Sequence, residues 1–381
     1  MPEPLLPFPL GNIIMITIGC LFIYLAIKKK YEPLLLVPIG FGAILVNIPV
    51  LINPGLPGIM DPEGFLGFIY TKGVLTDIFP CLLFIGIGAM MDFGALIERP
   101  WFLAFAAAGQ IGIFIALLSA LAIGFSPYEA ASIGIIGAMD GPTAIYITSK
   151  FAPNLLGPVA VCAYSYMALV PLLQIPISKA LTTHEERVIK MRHKPQTYSK
   201  AVRIIFPIAV TIVTGLVAPM GIPLMGSLML GNLLKETGVV RRLAKSAENE
   251  LTNVTTLLLG VVIGGTMNAE SFLVFDTLIV FALGLVAFVS AITCGILFAK
   301  AVCFITKGKV NPLIGACGIS AFPMAARTAH RIGRDEDSSN WLLPYAMATN
   351  VGGQIGSVVA GGVVLTYATI VMKMLGLIPI G

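Results

Sequence analysis

From Asn12 to Met372 the chain alternates long apolar runs with short polar punctuation. Most of these runs reach the roughly 20 residues that a helix needs to cross a bilayer. Ten read as spans, near 10–27, 33–51, 76–96, 100–123, 156–179, 204–219, 222–236, 254–275, 277–304 and 342–372. Two further apolar segments break the pattern. Segment 130–150 carries Asp140-Gly141-Pro142 at its middle; segment 311–330 opens with Asn311-Pro312 and holds Phe322-Pro323 inside. Proline removes a helical hydrogen bond and drives its predecessor out of the α region, so neither segment is expected to run through as one regular helix. The first apolar run ends in Lys28-Lys29-Lys30 with no small-residue cleavage site, which marks a span and not a signal peptide.

Composition agrees. The chain is 57% hydrophobic and 11% charged, where soluble domains carry about 25% charged residues. A soluble globular enzyme and a disordered chain are both excluded; the expected fold class is an all-α polytopic membrane protein. The net charge of +5 does not point to nucleic acid, because Lys and Arg sit in short clusters between spans, as orientation in a membrane requires. If both broken segments crossed the membrane, the loop 183–203 and the cluster Arg241, Arg242 and Lys245 would lie opposite Lys28–Lys30. If both dip in and return, all 24 basic residues except Lys72, Lys150 and Lys373 fall on the cytoplasmic side. The positive-inside rule selects ten spans plus two re-entrant or broken segments.

An internal repeat fits that topology. Ile87-Gly88-Ala89-Met90-Met91-Asp92 matches Ile263-Gly264-Gly265-Thr266-Met267-Asn268. Gly137 and Pro142 match Gly318 and Pro323, Pro38 and Asn47 match Pro223 and Asn232, and Pro158 matches Pro344. Ten spans give the two halves opposite orientations, so the repeats are inverted and their breaks can meet near the midplane, where transporters place ion sites. The division follows: an N-terminal span and basic loop at 1–32, a first inverted repeat at 33–182, a basic cytoplasmic loop and linking span at 183–221, and a second repeat at 222–375.

The candidate chemistry is sparse. The six cysteines stand singly without CxxC spacing, the three histidines form no ligand cluster, and neither a phosphate-binding loop nor a nucleophile elbow occurs. Asp140 stands out, mid-segment with no Lys or Arg for about ten residues either side. A carboxylate at that depth costs about 2.5–3.5 kcal/mol on insertion scales and calls for a partner. A hard alkali cation takes carboxylate, carbonyl and hydroxyl oxygens, and Gly141-Pro142 opens backbone that supplies them. Thr143 serves either as a hydroxyl neighbour or in capping. Asn311 reads equally as a turn residue before proline. Ser320 reads equally as a hydroxyl bonding back to its own helix, and Asn350 as an interhelical hydrogen bond. Arg327 is either a cytoplasmic anchor or a cation suited to a carboxylate-bearing substrate. Tyr164 and Tyr166 read first as a packing pair and second as a phenolic proton relay.

Three blocks carry a resemblance. The first runs through Asp140-Gly141-Pro142-Thr143-Ala144, Leu155-Leu156-Gly157-Pro158 and Tyr164-Ser165-Tyr166-Met167-Ala168-Leu169-Val170-Pro171. The second holds Asn311-Pro312-Leu313-Ile314-Gly315, Gly318-Ile319-Ser320-Ala321 and Pro323-Met324-Ala325-Ala326-Arg327; the third is Asn350-Val351 with Gly356-Ser357. From about Leu34 to Thr369 the chain resembles the β subunit of the sodium-pumping biotin-dependent decarboxylases, which act on oxaloacetate, methylmalonyl-CoA, malonate or glutaconyl-CoA. The resemblance implies a multi-pass subunit of the bacterial inner membrane that decarboxylates carboxybiotin, exports Na⁺ and consumes a proton. The implied partners are a biotin carrier subunit, a carboxyltransferase α subunit, a small membrane-anchored subunit and further copies of the chain. An elevator-like core moving against a scaffold is implied as well.

Carried over by residue, Asp140 looks like the Na⁺-binding aspartate, Asn311 and Ser320 like its partners, and Gly315 like the close-packing glycine between them. Tyr166 looks like the tyrosine of proton delivery and Arg327 like the arginine facing carboxybiotin. Asn350 matches the pattern and is a further metal-ligand candidate, while Met139 stands where a smaller residue is expected. The expectation is that Na⁺ binds at Asp140 with oxygens from Asn311 and Ser320, while carboxybiotin docks near Arg327. The rival expectation is a secondary Na⁺/H⁺ antiporter or a Na⁺-coupled organic-anion transporter, which needs the same residues but no biotin.

Overall fold

The computed structural model describes residues 9–30, 32–52, 58–191 and 199–374. Residues 1–8, 192–198 of the expected basic loop, and 375 at the end of the expected second repeat lie outside the described residues. Among the described residues every regular element is helical. Six helices among the described residues are long and apolar enough to cross a membrane: Leu10–Lys29, Pro100–Ile123, Pro153–Leu181, Lys200–Val217, Phe275–Ile305 and Leu343–Ala368. The pair Phe65–Val74 and Ile78–Met90, bent by 64°, makes a seventh if counted as one span. The other expected spans are also helical, Pro33–Ile52 over 20 residues. Ile222–Thr237 has 16 residues, and the run expected to reach 275 stops at Gly265. Asn268 then caps a new short helix by accepting from the Ser271 amide, so the chain turns there.

Two groups of helices form. In one, Pro33–Ile52 packs on Leu10–Tyr24 and Thr252–Gly265, and Ile222–Thr237 packs on Ile78–Met90. Their backbones touch at glycine. A Cβ built on Gly42 would lie 2.1 Å from the Val261 carbonyl oxygen, and one on Gly88 would lie 1.8 Å from that of Leu228. Small residues permit such approach where lipid offers no hydrophobic drive between helices. Buried amides add polar ties: Asn47 donates to the Met267 carbonyl at 2.8 Å, and Asn232 to that of Met91 at 3.4 Å.

In the other group, Phe275–Ile305 packs along Leu156–Leu181, Ile111–Ile123 and Pro312–Cys317, and Leu343–Met374 lies across Leu103–Gly109 and Met324–Glu336. Both proline-broken segments belong here. The first consists of Pro127–Gly134, a 3₁₀ turn Ile135–Ala138, and Gly141–Phe151. The second consists of the 3₁₀ helix Pro312–Cys317 and the helix Met324–Glu336, with 318–323 irregular between them.

Candidate functional site

The first break is a left-handed residue followed by an extended one. Met139 has φ 56° and is fully buried. Its side chain packs with Phe288, Ile292 and Ala316, which accounts for a large residue at this position. Asp140 is extended and becomes the N-cap of Gly141–Phe151, where Pro142 costs nothing because the first helical N–H groups have no intrahelical acceptor. Its carboxylate faces the positive end of that helix. Oδ1 accepts from the Thr143 amide at 3.4 Å. Oδ2 accepts from the Thr143 hydroxyl at 2.8 Å, the Gln354 amide at 2.6 Å and the Ser357 hydroxyl at 2.7 Å. The residue is 3% exposed.

The two breaks touch. The Ser320 amide donates to the Ala138 carbonyl at 3.0 Å, and the Ser320 hydroxyl donates to the Gly353 carbonyl at 2.9 Å. Asn350 donates to the Ile319 carbonyl at 2.7 Å and to that of Cys317 at 3.4 Å. Gln110, between Leu103–Gly109 and Ile111–Ile123, donates to the Gly318 carbonyl at 3.0 Å. Carbonyls freed by the second break are thus held by side-chain amides. One helix supplies most of the contacts. Asn350, Gly353, Gln354 and Ser357 recur at the three- and four-residue spacing that puts them on one face of Leu343–Met374, turned toward both breaks.

Not every candidate joins this junction. The Asn311 side chain caps the second 3₁₀ turn, accepting from the Leu313 amide at 3.0 Å, and donates to the Arg187 and Ile189 carbonyls at 2.9 Å each. At about 2 Å of rise per 3₁₀ residue, roughly 12 Å of helix separates it from Gly318. The Asn311 amide is engaged by the 187–189 loop. Gly315 lies against Gly295 of Phe275–Ile305, and a built Cβ would be 2.1 Å from the Gly295 carbonyl oxygen. The Tyr166 hydroxyl donates to the Phe281 carbonyl at 2.7 Å. It is Tyr164 that adjoins the first break, with its ring 2.2 Å from a Cβ built on Gly141. Its buried hydroxyl has no hydrogen-bond partner among the described residues.

Arg327 is exposed near the start of Met324–Glu336 and makes no ion pair among the described residues. Glu32 lies in its field: burial pushes that carboxyl up and the Arg327 charge pulls it back. At the far end of the same helix, Glu336 pairs with His184 at 2.7 Å and Arg187 at 2.8 Å. The His184 hydrogen bond, with the Arg187 contact behind it, holds the Glu336 carboxyl below its ordinary range.

Sequence reasoning passed over Gln110 as a candidate and gave Gln354 and Ser357 no role. For the latter two the signal was present: Asn350, Gln354 and Ser357 form a polar i, i+4, i+7 stripe inside an otherwise apolar helix. Chemically, the junction suits one monovalent cation. It holds one carboxylate and several neutral oxygens, and no group of three His, Cys, Asp or Glu side chains is available for a metal among the described residues. At the second break two buried amide oxygens, Asn350 Oδ1 and Gln110 Oε1, have no donor among the described residues. Each costs about 1–3 kcal/mol, which a bound cation would offset.

A family model described as the Na⁺-transporting oxaloacetate decarboxylase beta subunit matches residues 11–368. The chain is 48% identical to methylmalonyl-CoA decarboxylase subunit beta of Propionigenium modestum, over 94% of this chain and 95% of that one. It is 48% identical to glutaconyl-CoA decarboxylase subunit beta of Acidaminococcus fermentans, covering 94% and 93%. Identity to the oxaloacetate decarboxylase beta chain of Klebsiella pneumoniae is 41%, covering 94% and 95%.

Proposed function

The chain belongs to the family of Na⁺-transporting oxaloacetate decarboxylase β subunits, and from that membership we propose how its junction couples decarboxylation to Na⁺ movement. It is the multi-pass inner-membrane subunit of a bacterial sodium-pumping biotin-dependent decarboxylase. A biotin carrier and an α subunit are its partners, and a small membrane-anchored subunit and further copies of the chain complete the assembly.

Na⁺ is the cargo. It binds at Asp140, with Ser320, Asn350 and the oxygens around Thr143 and Ser357 completing the shell. The observation that carries this reading is the position of Asp140, the one fully buried carboxylate among the described residues, where two broken segments hydrogen-bond to each other, Ser320 to Ala138. A single carboxylate serves the site, so it can hold a cation or a proton but not both. Arg327 is the residue that would hold the carboxylate of carboxybiotin, whose breakdown supplies the driving reaction. Its guanidinium is exposed, makes no ion pair among the described residues, and can present two parallel donors. Asn311 anchors the cytoplasmic end of the second broken segment. Tyr164, whose ring adjoins Gly141 and whose hydroxyl has no partner among the described residues, is better situated than Tyr166 to pass a proton to Asp140.

The two halves are inverted repeats, with the helix group carrying the breaks moving as an elevator core against the other group. The mated amides support this. Asn47 of the first half binds Met267 of the second, while its mate Asn232 binds Met91, the mate of Met267. The test is reconstitution of the full chain in liposomes with carboxylated biotin carrier. Na⁺-dependent CO₂ release is expected; Na⁺ flux without CO₂ release would replace this reading with an antiporter.

A further inference from the structure

Arg327, Arg331 and Arg334 recur at i, i+4 and i+7 on Met324–Glu336, and all three are exposed, while Ala325, Ala326, Thr328, Ala329, Ile332 and Gly333 bury the opposite side. At 1.5 Å rise per residue the stripe extends about 10 Å from Arg327 toward the cytoplasmic end of the helix. Orientation in the membrane needs only positive charge near a span, not charge segregated to one helix face. Here it is segregated. The acids at the end of this helix are committed to the 184–190 loop: Glu336 to His184 and Arg187, and Asp337 to Lys190 at 2.9 Å. Asp335 is exposed and makes no ion pair among the described residues, and neither do Arg331 and Arg334. Three guanidinium groups therefore stand in a row, none in an ion pair among the described residues, with only Glu32 in the field of Arg327.

We propose that Arg331 and Arg334 form a docking strip for an acidic face of the protein that carries the biotin, guiding the prosthetic arm along the helix to Arg327. This rests on the decarboxylase reading above. The occupant is a protein because the strip lies on a broken segment packed against Leu156–Leu181 and Leu343–Met374, inside the helix group that holds the site, and aims at a residue proposed to receive that protein's cargo. Arginine also suits carboxylates, which its planar fork binds through two parallel bonds. Charges at the rim of an interface act mainly on encounter and salt dependence.

The experiment uses the full chain in neutral phosphatidylcholine vesicles, with carboxylated biotin carrier protein added in solution. An R331E/R334E variant is expected to raise the carrier KM about tenfold at unchanged kcat and to flatten its dependence on ionic strength. An R331K/R334K variant, which keeps the charge, is expected to stay close to wild type. Co-flotation of carrier with vesicles measures the same loss without turnover. Unchanged KM and co-flotation in the reversed variant overturn the proposal. So does a Lys variant as defective as the Glu variant, or a defect that follows anionic lipid content and not carrier concentration. Wild-type vesicles that bind carrier but release no CO₂ would instead overturn the decarboxylase reading, leaving the strip as a docking surface.

Discussion

An Asp140→Asn substitution keeps the shape of the side chain while removing one charge and one acceptor, so its effects on folding and on the cation separate. Oδ2 accepts three side-chain donors, from Thr143, Gln354 and Ser357. An amide oxygen in its place keeps all three, each weaker by roughly 1 kcal/mol for want of charge. The amide nitrogen then faces the Thr143 N–H that Oδ1 accepts now, at a cost of about 1 kcal/mol of capping. Relief of burying a charge offsets much of this, so the variant is expected to fold. The cation has no such compensation. At about 2.4 Å and an effective dielectric of about 20, a carboxylate attracts Na⁺ by about 7 kcal/mol. If desolvation returns half of that, about 3 kcal/mol remains, a rise of roughly a hundredfold in half-saturating Na⁺. The assay is Na⁺ titration of CO₂ release by the complex in liposomes, with thermal unfolding alongside. A folded variant whose half-saturating Na⁺ stays within about threefold of wild type would refute the reasoning.

Because a proton and Na⁺ compete for the same carboxylate, half-saturating Na⁺ should rise as pH falls, approaching about tenfold per unit; a flat dependence contradicts shared occupancy. Gly315→Ala forces a methyl group to within 2.1 Å of the Gly295 carbonyl oxygen, and thermal unfolding should report a loss of about 1–3 kcal/mol. Tyr166→Phe removes the bond to the Phe281 carbonyl and should cost about 1 kcal/mol of stability. Tyr164→Phe should leave unfolding unchanged and lower the decarboxylation rate, and a fully active Tyr164→Phe rules that hydroxyl out of proton delivery. The Glu336 carboxyl, held below its ordinary range by His184 and Arg187, contributes its tie above the usual carboxylate pKa and loses it as pH falls through its own depressed value. Hydrogen exchange at 184–190 should therefore stay slow through mildly acidic pH, and Glu336→Gln should speed it at neutral pH.

Several parts of the site were legible in the chain itself. Pro142 and Pro312 announced broken helices because a proline acts on its immediate neighbours whatever surrounds it. Asp140 was conspicuous because a charge among apolar residues must be compensated somewhere. Gly315 is a close-packing glycine by family resemblance alone, and the helix it approaches is shown only by the structure. Asn311 stays open in the sequence for a related reason: its type allows a cap, a turn or a ligand, and only the structure shows its amide on the 187–189 carbonyls.

The order of apolar runs and prolines, then, determined that the chain is an all-helical membrane protein, which segments break, and where the costly carboxylate lies. These are consequences of local covalent constraint and of solvation, both readable within a few residues. Which groups meet that carboxylate was a matter for the tertiary structure alone. Gln354 and Ser357 reach Asp140 across 214 and 217 residues of sequence, and Tyr164 rather than Tyr166 adjoins Gly141. Such contacts depend on how closely and at what rotation helices cross, and that is set by small residues and packing over the whole bundle.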